Sequence, residues 1–205
     1  MKNEINRIAG RLVKAFNTNT VINPIPVKYC KNINLANKLR KLCEDQIKDE
    51  TIGIKAGGTG IQALKKLKEK EPFTAKVFKK RLVKSGQKVK INQHTKGIEV
   101  EVYYFIKKSF FDFKGKVTKS NVTKFIKFMG PCFEIVGFRQ RNKKFTYLGD
   151  ICGDFGFNIK FVVGRKTKFK KLNLNNLKTS LVSKKNGVKV NGNTNIAVSY
   201  THLTL

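Results

Sequence analysis

The stretch GIEVEVYYFIKK, residues 97–108, alternates so regularly that it can be read only one way. In an extended chain successive side chains take opposite faces, so Ile98, Val100 and Val102 share one face and Glu99, Glu101, Tyr103 and Phe105 the other. That period of two marks a strand and makes the second half of the chain β-rich. Upstream the period is helical. Ile5, Ile8, Ala9, Leu12, Val13 and Phe16 form one apolar stripe, Pro24 and Pro26 a loop, and Leu35, Leu39, Leu42, Cys43 and Ile47 a second stripe, with Asn34 as its expected N-cap. TIGIKAGGTG, residues 51–60, marks the change of period: a short strand ending in glycines, with Thr59 placed to cap a helix through 61–70 before Pro72 stops it. Downstream, KVF at 76–78, KVKI at 88–91, CFEIVGFR at 132–139 and NIKFVVG at 158–164 read as further strands. Gly115 reads as a turn, and Ser120 as the cap of one more helix burying Val122, Phe125, Ile126 and Met129. LKTSLVSK and GVKVNG form a final hairpin around Asn186–Gly187. The expected fold class is α+β, with N-terminal helices in 1–50 packing on a β-rich catalytic domain over 51–197.

Length and composition bound the function. A chain of 205 residues, 40% hydrophobic, buries one core. No apolar run approaches the ~18 residues that cross a bilayer, and charge interrupts the first residues too early for a signal peptide, so a soluble, cytoplasmic protein is expected. Cys30, Cys43, Cys132 and Cys152 have no CxxC spacing and read as buried thiols. The formal charge of +31, from 44 basic and 13 acidic residues, points first to nucleic acid. Two observations lower that reading. Lys, Asn, Ile and Phe are the residues of A+T-rich codons, and the basic residues are scattered with no RNP-type aromatic motif, zinc finger or helix-turn-helix spacing.

The scarce acids carry the chemistry. Glu99 and Glu101 share a strand face about 6 to 7 Å apart. A half-exposed strand with its polar face in water gives the same pattern, but Tyr103 and Phe105 continue that face in aromatics. Glu134 stands among Phe133, Ile135, Val136 and Phe138, where a lone carboxylate costs several kcal/mol unless it is protonated, paired or metal-bound. A salt bridge to a lysine or to Arg139 meets that need, and so does a metal shared with Glu99 and Glu101 if the two strands meet. Three carboxylates with no His or Cys cluster suit a hard cation, Mg²⁺ or Mn²⁺, and exclude zinc as a good match. Such a site is net negative unless a base joins it. Lys55, ending the apolar strand IGIK before Gly57–Gly58, is the candidate, and the backbone of that turn offers donors to a substrate carboxylate. Its plain alternative is a snorkelling surface lysine. With only His94 and His202 present, histidine-based hydrolase schemes are disfavoured; His94 reads as a loop residue.

Four motifs in register resemble the fumarylacetoacetate hydrolase superfamily, closest to its 2-keto-4-pentenoate hydratases. IGIKAGGTG is similar to the family's glycine-lysine-glycine strand and turn, GIEVEVYYFI to its Glu-x-Glu strand and PCFEIVGFR to its Pro-x-x-Glu strand. DICGDFGFNIKFVVG resembles the segment that opens on an Asp-Asn pair. The resemblance, over about residues 35–194, implies a mixed β-roll, Mg²⁺ or Mn²⁺ on Glu99, Glu101 and Glu134, and Lys55 as a catalytic polar group. Gly57, Gly58 and Asp154 are then the expected substrate contacts. It further implies a small anionic 2-oxo-acid substrate, hydration of a 2-hydroxydienoate to a 4-hydroxy-2-oxo acid, and assembly as a homo-oligomer. Related members decarboxylate or cleave carbon–carbon bonds.

Three departures accompany the resemblance. The family's acid near Lys80 is replaced by Lys or Arg, which touches proton transfer and permits a second reading as an inactive, basic nucleic-acid-binding protein. Phe155 stands where the family has Asn. The family also continues for several more strands. VSYTHLTL, residues 198–205, resembles a translated sequencing-adapter tail, so a non-native end and a longer natural protein are expected. A genomic stop codon directly after Leu205 counts against that.

Overall fold

The first apolar stripe closes as helix α1, Lys2–Thr18, with Ile5, Ile8, Ala9, Leu12, Val13 and Phe16 all buried. The computed structural model describes residues 2–91, 94–118, 120–170, 178–182, 187 and 189–193. A short helix α2, Lys28–Lys31, leads into α3, Ile33–Asp45. Asn32 caps α3 in place of Asn34: its backbone is extended and its side chain accepts from the Leu35 N–H, whereas Asn34 already lies within the helix. The two long helices bury one core with Phe78 and Phe155, which ties the N-terminal helices to the β-rich part of the chain.

Strands β1, Thr51–Gly57, and β2, Phe73–Phe78, pair antiparallel around helix α4, Ile61–Leu67. Gly60, not Thr59, is the N-cap of α4, because Thr59 stands one residue too early. The main sheet contains β3, Leu82–Lys84; β4, Thr95–Ile106; β5, Ile126–Gly137; and β6, Asn158–Val163, in the order β3-β6-β5-β4. Its β3-β6 pair is parallel and the others antiparallel, so the sheet is mixed. Helix α5, Leu148–Cys152, precedes β6, and β7, Thr167–Lys168, pairs with the start of β5. The final hairpin is present as β8, Lys178–Val182, and β9, Lys189–Asn193. Its Asn186, and the tail from 194 onward with His202, lie outside the described residues.

Two sequence expectations are corrected. No helix follows Ser120; Val122–Phe125 is one 3₁₀ turn and Ile126 already opens β5. Apolar residues at 122, 125, 126 and 129 suit either period, and pairing decides: β4 spans twelve residues, and Ile126, Phe128 and Met129 supply partners for Ile106, Phe105 and Tyr104. KVKI at 88–91 is not a strand but irregular chain beside a cavity. All four cysteines are buried and free, as expected. No described helix is long and apolar enough to cross a membrane.

Candidate metal centre

Register brings the acids together. Glu99 of β4 pairs directly with Glu134 of β5, and Glu101 pairs with Cys132, so all four side chains share one sheet face. One carboxylate oxygen from each of Glu99, Glu101 and Glu134 lies within 4.8 Å of the other two. Exposure falls from Glu99, open to solvent, through half-buried Glu101 to Glu134, 3% exposed. The opposite face of β4 carries Ile98 and Val100 toward solvent and buries Tyr104, while Phe105, on the face of the acids, is exposed. Tyr103 is half-buried and donates its hydroxyl to the Gly164 carbonyl at 3.2 Å.

Lys55 reaches this face from β1, in the other sheet. It is buried, not snorkelling, and its Nζ donates to Glu134 Oε1 at 2.5 Å and to the Gly156 carbonyl at 2.9 Å. The salt bridge and the carboxylate cluster, alternatives in the sequence, thus coexist. Lys55 reaches the innermost carboxylate, and the crowding shows in the acidity of Glu101 and Glu134. Burial, then the charges of Glu134 and Glu99, push Glu101 up to about 8, against the pull of Lys55. Burial likewise raises Glu134, with Lys55 opposing. The Cys132 thiol is pushed up to about 12 by burial and by Glu101 and Glu134, which removes it as a nucleophile. Carboxylates packed this closely are able to share a cation once they ionise. The donors are oxygens of graded exposure with one side open to solvent, a set that fits a hard divalent cation.

The glycines beside Lys55 have packing reasons. A Cβ on Gly57 would meet the Phe73 ring at 2.4 Å, and Gly58, at φ +72°, would meet Leu148 at 2.6 Å. Gly156 is a contributor the sequence reading missed. It has φ +67° between Phe155 and Phe157, themselves at positive φ, and a Cβ there would strike Ala75. That close approach lets its carbonyl reach Lys55; the available signal was a glycine between two aromatics in GDFGF.

Asp154 is not among the clustered acids. It is fully buried, and its carboxylate accepts from the Arg139 N–H at 2.7 Å, Arg139 Nη1 at 3.2 Å and Gln140 Nε2 at 3.2 Å. Its backbone carbonyl accepts from the Phe157 N–H at 2.9 Å, so Asp154 anchors the turn that presents Gly156. Phe155 is buried against Phe16 at a ring separation of 4.4 Å. His94 stands in a turn, as expected, but is buried and outside the carboxylate cluster.

Comparison with known proteins then gives the architecture a reference. The chain superimposes on 4-oxalocrotonate decarboxylase from Pseudomonas putida G7 complexed with magnesium and adipate, with a TM-score of 0.72 over 97% of this chain and 76% of that one, at 15% identity. It has the fold of 4-oxalocrotonate decarboxylase. The same enzyme complexed with calcium and acetate superimposes with a TM-score of 0.73 over the same shares, again at 15% identity. No protein-family model and no curated protein matches the sequence. The α+β, fumarylacetoacetate hydrolase-like fold expected from the motifs is therefore the observed one, and in this decarboxylase fold the carboxylates and Lys55 meet at one sheet face.

Proposed function

We propose that the chain is a divalent-metal-dependent enzyme of the fumarylacetoacetate hydrolase superfamily acting on a small 2-oxo acid. The observation that carries this reading is three carboxylates within 4.8 Å of one another, with a buried lysine bonded to the innermost one. Glu99, Glu101 and Glu134 would hold Mg²⁺ or Mn²⁺, whose contribution is Lewis-acid polarisation of the substrate's 2-oxo oxygen. Lys55 then has two tasks. Its ammonium offsets part of the negative charge that an anionic substrate meets. It also holds a proton at Nζ, 2.5 Å from Glu134 Oε1, that it can pass to the substrate. The Gly57–Gly58 backbone, two residues further on, offers N–H donors to the substrate carboxylate.

Within this class the first reading is hydration of a 2-hydroxydienoate to a 4-hydroxy-2-oxo acid. The second is decarboxylation, favoured by the likeness to 4-oxalocrotonate decarboxylase. Loss of carbon dioxide leaves an electron pair that the polarised 2-oxygen accepts, and a single proton from a group such as Lys55 completes it. We also propose a cytoplasmic homo-oligomer, on family resemblance.

The deciding experiment is a Mn²⁺ titration of the chain beside a Glu101→Gln, Glu134→Gln double variant, with circular dichroism showing both folded. One-site binding that the variant loses supports the centre, and product analysis on 2-hydroxydienoate and 2-oxo-3-enedioate substrates then separates hydration from decarboxylation. A folded chain that binds no Mn²⁺ but binds RNA with steep salt dependence would instead support the basic binding protein.

A further inference from the structure

A cavity of about 760 Å³ opens between the ends of α1 and α3, β3, and the irregular segment at 88–90. Six of its fifteen described lining residues, Lys48, Lys80, Arg81, Lys88, Lys90 and Lys160, are basic, against 44 of 205 in the whole chain. The scattered excess of lysine is therefore locally concentrated about twofold. The only acid in the lining is Asp49, and its two oxygens already accept the backbone N–H groups of Glu50 and Lys80. The cavity is also separate from the carboxylates: Lys160 pairs with Ile135, so it stands on the sheet face opposite Glu134.

The second observation is Arg81. It is 8% exposed, its guanidinium stacks 3.7 Å from the Phe16 ring, and Nη2 donates to the Phe16 carbonyl. Its Nε is buried with no hydrogen-bond partner. The other buried cations have carboxylates: Arg40 has Glu44, Lys55 has Glu134, and Arg139 has Asp154. No salt bridge joins Arg81 to a described carboxylate. Asp49 attracts Arg81 only from beyond ion-pair distance, so the positive charge of this buried guanidinium is incompletely offset. Lys160 Nζ, braced on the Lys80 carbonyl at 2.8 Å, holds a second cation at the rim. Ile47, Val83 and Ile159 give the same cavity an apolar wall.

We propose that this cavity binds a small di- or triphosphate-bearing anion, with the surrounding lysines on the phosphates, the Arg81 guanidinium supplying positive charge behind them and the apolar wall against any organic part. Planar guanidinium donors and clustered ammonium groups are the side chains that phosphate oxygens select. The test is calorimetric titration of the whole chain with inorganic tripolyphosphate and with ATP, in buffer free of divalent cations so that the carboxylate centre plays no part. Two double variants remove the same charge: Lys88→Gln, Lys160→Gln in the cavity and Lys66→Gln, Lys124→Gln outside it. The expected result is one saturable site, weakened at least tenfold by the first pair and less than twofold by the second. ATP binding tighter than tripolyphosphate indicates an organic phosphate, and the reverse an inorganic polyphosphate; either supports the site. Equal weakening by both pairs, many ions bound per chain, or no saturable binding overturns it. So does a single-stranded RNA that binds more tightly than both and is weakened equally by both pairs, the signature of a diffuse basic surface.

Discussion

Two buried ion pairs lie close together in this fold and have opposite character. Arg139 and Asp154 form a closed account: one cation, one anion, with Asp154 filled by the Arg139 backbone, the Arg139 guanidinium and Gln140, and Arg139 also donating to the Asn158 carbonyl. Lys55 and Glu134 form an open one, because Glu99 and Glu101 each bring a carboxylate oxygen within 4.8 Å of that of Glu134. A balanced pair holds a structure together. A pair with further carboxylates beside it offers oxygens to a ligand, and here they reach solvent through Glu99.

The largest expected effect comes from breaking the balanced pair. Asp154→Ala strands a guanidinium that cannot shed its proton, and removal of one partner of such a pair costs about 3–5 kcal/mol, readable by urea denaturation. Lys55→Met should cost clearly less stability, because Glu134 can take up a proton once its partner is gone. A Lys55→Met loss equal to that of Asp154→Ala would erase the distinction. The same variant sharpens the comparison functionally: it should retain Mn²⁺ binding, since all three carboxylates remain, while turnover on a 2-oxo acid falls by two orders of magnitude or more.

Next in size is a pH effect. Glu101 is raised to about 8 in the folded chain from an ordinary carboxyl value of 4.5, so the folded state holds a proton that the unfolded state releases. Stability without metal should then fall as pH rises from about 5 to about 8, seen as a declining thermal midpoint. Glu101→Gln should flatten that decline. Added Mn²⁺ should restore the midpoint more at pH 8 than at pH 6, because binding needs the ionised carboxylate. The smallest effect belongs to the exposed Lys79–Glu50 pair, with side chains 66% and 61% exposed. Glu50→Gln should leave the urea midpoint within experimental scatter.

Much of the site was legible because its residues broke local rules. Glu99 and Glu101 were noticeable as acids in an apolar strand of a basic chain, and Glu134 as a carboxylate flanked by apolar residues. Lys55 was legible as an apolar strand's only cation. Gly156 and Arg81 were not, since neither breaks a pattern in its own segment; each matters through a contact made far along the chain, 101 residues for Gly156 with Lys55 and 65 for Arg81 with Phe16. The helix expected after Ser120 failed for a related reason: its apolar spacing fits two periods, and only the partner strand chooses.

What the sequence determined by itself is periodicity: where helices give way to strands, and that Glu99 and Glu101 share a face, because side-chain direction follows from local backbone geometry. What the tertiary structure alone decided is register and approach. Glu99 stands opposite Glu134 because β4 and β5 pair in that alignment, and a slip of one residue would turn Glu134 to the other face. Lys55 meets Glu134 across 79 residues because two sheets pack together, and long-range contact of that kind is set by the burial of the whole core, which no local pattern encodes.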